Sequence, residues 1–205
     1  MKKLKPLDWL QPAVLTGSLV PFVVIAWRAY RGSLGANPIA TAMNQLGLLA
    51  LTFLMACLAC TPLKILTGQK WPIRLRKTLG LLAFFAALCH FLVYLVIDQV
   101  LVLRAVVEDI VKRPFIAFGF TALLVMVPLA LTSTKNALQR MGPKRWKRLH
   151  RLVYVAGALA ITHYVLRVKQ DVTDPAIYGA LLGALLLVRL VRAWLDRRAL
   201  AARTM

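Results

Sequence analysis

Six runs of about twenty residues, each almost free of charge, dominate this chain. They cover residues 10–29, 44–63, 78–97, 115–133, 149–166 and 176–194. A bilayer core about 30 Å thick takes roughly 20 residues of helix to cross, so each run is long enough to span. Backbone amides in hydrocarbon have no water to bond, and an unclosed span must satisfy them as a helix. The expected fold class is therefore all-α: an integral membrane bundle of six transmembrane helices. The apolar share of 60% and the mean hydropathy of +0.70 agree with it. The first run follows a basic N-terminus as a signal peptide would, but no clear small-x-small cleavage site follows. The expectation is a retained first span. Pro21, Pro128 and Gly157 lie within the runs, and membrane helices tolerate them; Pro128 is expected to kink the fourth.

A net charge of +20 could point to nucleic acid. Here the positive residues fall between the apolar runs and form no separate basic domain, so nucleic-acid binding is not expected. They record orientation instead. Twenty lysines and arginines lie in the N-terminus (Lys2, Lys3, Lys5), the second and fourth connections and the C-terminal tail. Seven lie in the other connections: Arg28, Arg31, Arg104, Lys112, Arg113, Arg167 and Lys169. The asymmetry places both termini in the cytoplasm and the sparser loops in the periplasm. One of those loops, 98–114, alternates apolar and charged residues and is expected to form a short interfacial amphipathic helix.

No nucleotide fingerprint, phosphate loop or zinc spacing occurs, so chemistry must come from an acquired cofactor or a partner. Cys57, Cys60 and Cys89 are an odd number inside apolar runs and imply no disulfide framework. Cys57 and Cys60 read as small apolar residues of a helix, in preference to a redox pair. Trp9, Trp27, Trp71, Trp146 and Trp194 lie near run ends, where interfacial anchors belong.

Chemistry concentrates in three histidines, His90, His150 and His163. An ionisable group inside a membrane is a functional hypothesis by default. His90 stands twelve residues beyond Thr78, and His163 thirteen beyond His150. At 1.5 Å per residue these are about 18 and 20 Å from the cytoplasmic edge. Two imidazoles at one depth on the third and fifth spans can hold a haem iron on both axes. Small residues flank them: Ala83, Ala86 and Ala87 before His90, Ala156 and Ala160 before His163. These leave room for a macrocycle, and equally serve plain helix packing. On an ideal helix His150 would lie about 140° around from His163. Three roles stay open for it: a ligand of a second haem with an unusual partner, a contact to quinone or flavin, or an interfacial histidine among basic residues.

The segments SLGANPI, CTPL, RKTLGLLAFFAALCHFLVY, KRPF, LTSTKNALQRMGPKRWKRLHRLVYV and THYVLRVK, in that order, resemble the MsrQ (YedZ) family over nearly the whole chain. The resemblance implies a single ferric-reductase-like transmembrane domain over residues 1–205, in a bacterial inner membrane. It implies haem b, with His90, His150 and His163 as the family's three histidines, and an association with FMN. It implies electrons from the quinone pool or a cytoplasmic flavin reductase. They pass to a periplasmic molybdopterin-containing reductase (MsrP-like) that repairs oxidised methionines. The larger two-haem reductases carry two histidines on each of two helices, whereas the third span here has one.

The leading function is thus an electron-transfer subunit, not a catalytic one. The alternative is a stand-alone reductase of ferric ions or another small acceptor. A third class, a transporter or assembly factor, conflicts with the absence of acids from the apolar runs, because proton-coupled transport uses intramembrane carboxylates.

Overall fold

The computed structural model describes residues 7, 9–168 and 170–203. Lys2, Lys3, Lys5 and Lys169, used above for orientation, lie outside the described residues. Within them eight α-helices and no strand occur: α1 (Leu10–Tyr30), α2 (Pro38–Thr67), α3 (Trp71–Leu92), α4 (Leu103–Lys112), α5 (Pro114–Leu131), α6 (Lys135–Leu149), α7 (Leu152–Arg167) and α8 (Thr173–Arg203). A π-helical stretch, Val93–Asp98, prolongs α3. Five helices are long and apolar enough to cross a membrane, and α6 with α7 forms a sixth candidate if the bent pair is one span. The chain is a multi-pass membrane protein.

α2 is the axis. Asn37 caps its N-terminus, its side chain accepting from the Ala40 amide with Pro38 next in line. Gly68 ends it at φ 71°, a left-handed position suited to glycine. Leu51, Leu54, Met55 and Leu58 of α2 are buried against Leu82, Ala83 and Ala86 of α3, Met126 of α5, Ala156 of α7 and Leu182 of α8. α3 packs chiefly on α2, and α7 chiefly on α5. The result is two helix pairs with a space between them. α1 buries no residue and lies at the periphery.

Pro62 sits inside α2 and has no amide hydrogen for the Leu58 carbonyl. Arg189 of α8 supplies the missing donor, Nη2 to Leu58 O at 2.5 Å, and also bonds the Tyr154 hydroxyl of α7. An arginine within a span thus has both terminal nitrogens bonded to neutral oxygens, while its buried Nε has no partner among the described residues.

The structure corrects several expectations. The helix that carries the third run begins at Trp71, seven residues before the apolar run at Thr78. The basic connection after the fourth span is not a loop but α6, capped by Thr134 on the Ala137 amide and kinked at Gly142 (φ 74°) and Pro143. The fifth run is not one helix from Leu149. It breaks at His150–Arg151, and α6 and α7 meet at 43°. Short turn bonds, Arg151 N to Arg148 O and Tyr154 N to Arg151 O, carry the chain through the break. The ideal-helix angle between His150 and His163 therefore does not apply. The Trp146 indole, half-buried, donates to Thr132 O at 2.9 Å. Over residues 98–114 the expected amphipathic helix is α4, with Val106 buried. Trp9, Trp27 and Trp194 are exposed.

A candidate cofactor site between two helix pairs

His90 leaves α3 and His163 leaves α7, and both enter the space between the helix pairs. Their ring centres are 6.2 Å apart and their planes cross at 82°. Each ring is held by its Nδ1. His90 Nδ1 lies 2.8 Å from Met43 O of α2, and His163 Nδ1 lies 2.6 Å from Phe115 O of α5. A carbonyl only accepts, so Nδ1 carries the proton in both rings and Nε2 keeps its lone pair. That is the tautomer a metal requires, with the second nitrogen fixed by a backbone acceptor.

One local device builds both bonds. A helical carbonyl i already accepts from the amide of i+4, and the side chain at i+4 leans back over that turn. Four residues after Met43 stands Gly47; four residues after Phe115 stands Gly119. A Cβ on Gly47 would meet His90 Nδ1 at 3.2 Å, and one on Gly119 would meet His163 Nδ1 at 2.6 Å. The missing side chains open the second lone pair of each carbonyl to an imidazole from another helix. No motif in the sequence marks these glycines. Their signal was a residue that weakens a helix interior placed in mid-span.

The histidines line a cavity of about 650 Å³. Its walls are apolar toward one end, with Leu51, Leu54, Leu123 and Met126. Ala87 and Ala160 face it, as a macrocycle would need. Ala83, Ala86 and Ala156 do not: they are fully buried in helix packing. A metal–imidazole bond of ~2.0 Å, with about 1.1 Å more from nitrogen to ring centre, would separate two axial ring centres by ~6.3 Å. The observed separation of 6.2 Å is compatible with a metal ion held between two imidazoles.

His150 stands apart. It caps α6, stacks on Trp146 at 3.8 Å between ring centres, and places Nε2 3.0 Å from the Thr132 hydroxyl. It does not line the cavity. Cys57 and Cys60 are buried; their thiols lie near the carbonyls of Arg76 at 3.2 Å and Ala56 at 3.3 Å.

The structure is thus a helical membrane bundle with one imidazole from each of two helix pairs facing a common cavity. Residues 41–161 match the family described as ferric reductase like transmembrane component. The chain is 48% identical over 185 residues to the protein-methionine-sulfoxide reductase heme-binding subunit MsrQ of Deinococcus radiodurans, covering 90% of this chain and 91% of that protein. It is 47% identical over 186 residues to the same subunit of Rhodospirillum rubrum, covering 91% and 89%. Against that of Brucella ovis it is 44% identical over 199 residues, covering 97% and 90%. The chain belongs to the MsrQ family of ferric-reductase-like transmembrane proteins.

Proposed function

We propose that this chain is the haem b electron-transfer subunit of a methionine sulfoxide reductase system in a bacterial inner membrane. Electrons would come from the quinone pool or, through FMN, from a cytoplasmic flavin reductase. They would leave to a periplasmic molybdopterin-containing reductase that repairs oxidised proteins. The observation that carries this reading is the His90–His163 pair, 6.2 Å between ring centres with both Nδ1 atoms tied to carbonyls. The names of the MsrQ relatives support the haem and the reductase system.

His90 and His163 would hold the iron through Nε2. Haem would supply reversible one-electron chemistry, with its potential set by axial ligands and surroundings. The Met43 and Phe115 carbonyls keep the imidazoles oriented and raise their basicity. Leu51, Leu54, Leu123 and Met126 would give the haem an apolar surround at that end. His150, outside the cavity, remains a candidate contact for a second haem, a quinone or FMN.

The test is the absorption spectrum of the purified chain, followed by mixing of the reduced protein with candidate acceptors. A low-spin spectrum, reoxidised by the periplasmic reductase and its sulfoxide substrate, is expected. A colourless protein would sink the haem assignment. Equally rapid reoxidation by ferric chelates alone would favour a stand-alone reductase.

A further inference from the structure

α6 carries six lysines and arginines and no acid in its 15 residues. Four of them, Lys144, Arg145, Lys147 and Arg148, lie between the kink at Gly142 and the break at His150, and all four are exposed. At about 100° per residue they fall within an arc of about 160°, whose centre is about 180° from Trp146. Trp146 and Leu149 are half-buried, and Trp146 stacks on His150 at 3.8 Å between ring centres. This part of α6 thus has a cationic face turned outward and an aromatic side turned to the bundle. Orientation in the membrane depends on how many lysines and arginines a segment holds, not on their sharing one face of a helix.

The surroundings add little opposite charge. The sequence holds no Asp or Glu from residue 110 to residue 170. Of the two acids in the segments assigned to the cytoplasm, Asp196 is ion-paired with Arg192 at 3.2 Å, and Asp8 lies outside the described residues. The face therefore suits an acidic occupant. An anionic lipid surface is one candidate, and α4 shows what insertion into it takes: Leu103, Val107 and Val111 are exposed beside a charged ladder. From Pro143 to Leu149 no large apolar side chain is exposed. α6 has no such stripe to insert, and its 43° bend from α7 turns it off the line of the span.

We infer that this face of α6 is the docking surface for an acidic, water-soluble protein that delivers single electrons. The inference rests on the proposed electron-transfer function and adds the place where the donor sits. Opposite charges across such a surface steer encounter, and a rate gained this way falls with salt. Each encounter would pass one electron from the donor's reduced flavin to ferric haem, with no bond made or broken. α4 and α6 flank α5 at its two ends, so donor and acceptor would not compete for one surface.

The test uses the full-length protein with its haem, in discs of zwitterionic phosphatidylcholine, and a flavodoxin as the acidic one-electron donor. Binding of oxidised flavodoxin and the rate at which reduced flavodoxin reduces the haem are measured at two ionic strengths. Lys144→Glu/Arg148→Glu should weaken binding and slow reduction about tenfold at low salt, and flatten the salt dependence, with the visible spectrum unchanged. Lys144→Gln/Arg148→Gln should show a smaller loss of the same sign. Arg104→Glu, on α4, should change neither quantity. Wild-type behaviour in the Glu double variant would overturn the docking surface. So would a wild-type protein that ignores flavodoxin but gains thermal stability from phosphatidylglycerol through Lys144 and Arg148, since the face would then belong to lipid. A colourless protein that still binds flavodoxin through α6 would overturn the haem reading and keep the surface.

Discussion

At the scale of single residues, the site depends on what stands next to each histidine as much as on the histidines. His90→Ala and His163→Ala should each abolish the low-spin haem signal, because each removes one axis. His150→Ala should leave that signal largely intact, since His150 bonds Thr132 and lies off the cavity. Visible spectra of the three purified variants check this, and loss of all haem in His150→Ala alone would refute the pairing. Gly119→Ala supplies a subtler case. Its methyl would stand 2.6 Å from His163 Nδ1, whereas the Gly47 methyl would stand 3.2 Å from His90 Nδ1. Gly119→Ala should displace the ring from Phe115 O and convert much of the haem to a high-spin or five-coordinate form; Gly47→Ala should do so less. The histidines were legible because imidazole in hydrocarbon is rare and costly. The glycines were not, because Gly119 and His163 are 44 residues apart in sequence. Their relation exists only once α5 and α7 are packed in register.

Among the elements, α2 shows how a membrane helix tolerates proline. Pro62 frees the Leu58 carbonyl, and Arg189 of α8 occupies it. Arg189→Leu should destabilise the bundle by about 1–3 kcal/mol, the usual penalty for a buried unsatisfied carbonyl. Pro62→Ala restores an amide that can serve the same carbonyl. The double variant Pro62→Ala/Arg189→Leu should therefore lose less stability than Arg189→Leu alone, a coupling that a thermal-unfolding cycle in detergent reads directly. Strict additivity would show that Arg189 acts elsewhere. The apolar runs made the spans legible, because hydrophobic length is a strong signal. Run ends were read less well. Trp71 to Lys77 is polar enough to look like a loop, yet the α3 helix starts there. The basic stretch after the fourth span held Gly142 and Pro143, both loop signals, and the structure uses them as a kink inside α6. Hydropathy reports what can sit in lipid, whereas helices continue into water wherever their backbone bonds are satisfied.

Over the whole molecule, two features of charge bear on the proposed direction of the chain in the membrane. The first is the excess of lysine and arginine in the segments proposed to be cytoplasmic, both termini among them. A periplasmic reporter fused after residue 205 should be inactive, and one fused within α4 active; the reverse would invert the molecule. The second is the path outward from the cavity. Ile110 and Arg113, at the end of α4 and just past it, line the cavity wall, while Arg104, Glu108 and Lys112 form a charged ladder on the exposed side of α4. A protein seated on α4 would thus be separated from the histidine pair by little more than one helix. The proposed acceptor is a separate periplasmic protein, docking on residues 31–38, 98–114 and 167–175. Exposed charges steer encounter more than they add affinity, and salt screens them. Arg104→Glu or Lys112→Glu should therefore slow reoxidation of the haem by the partner in a salt-dependent manner, with haem content unchanged. Lys169→Glu, outside the described residues, should act likewise on sequence grounds. Lys144→Glu or Arg148→Glu, on α6 at the opposite end, should leave that step alone. Stopped-flow reoxidation at two ionic strengths distinguishes them. If the α6 reversals slow the reaction and the α4 reversals do not, the partner docks at the other face, and either the orientation or the direction of electron flow must be reversed.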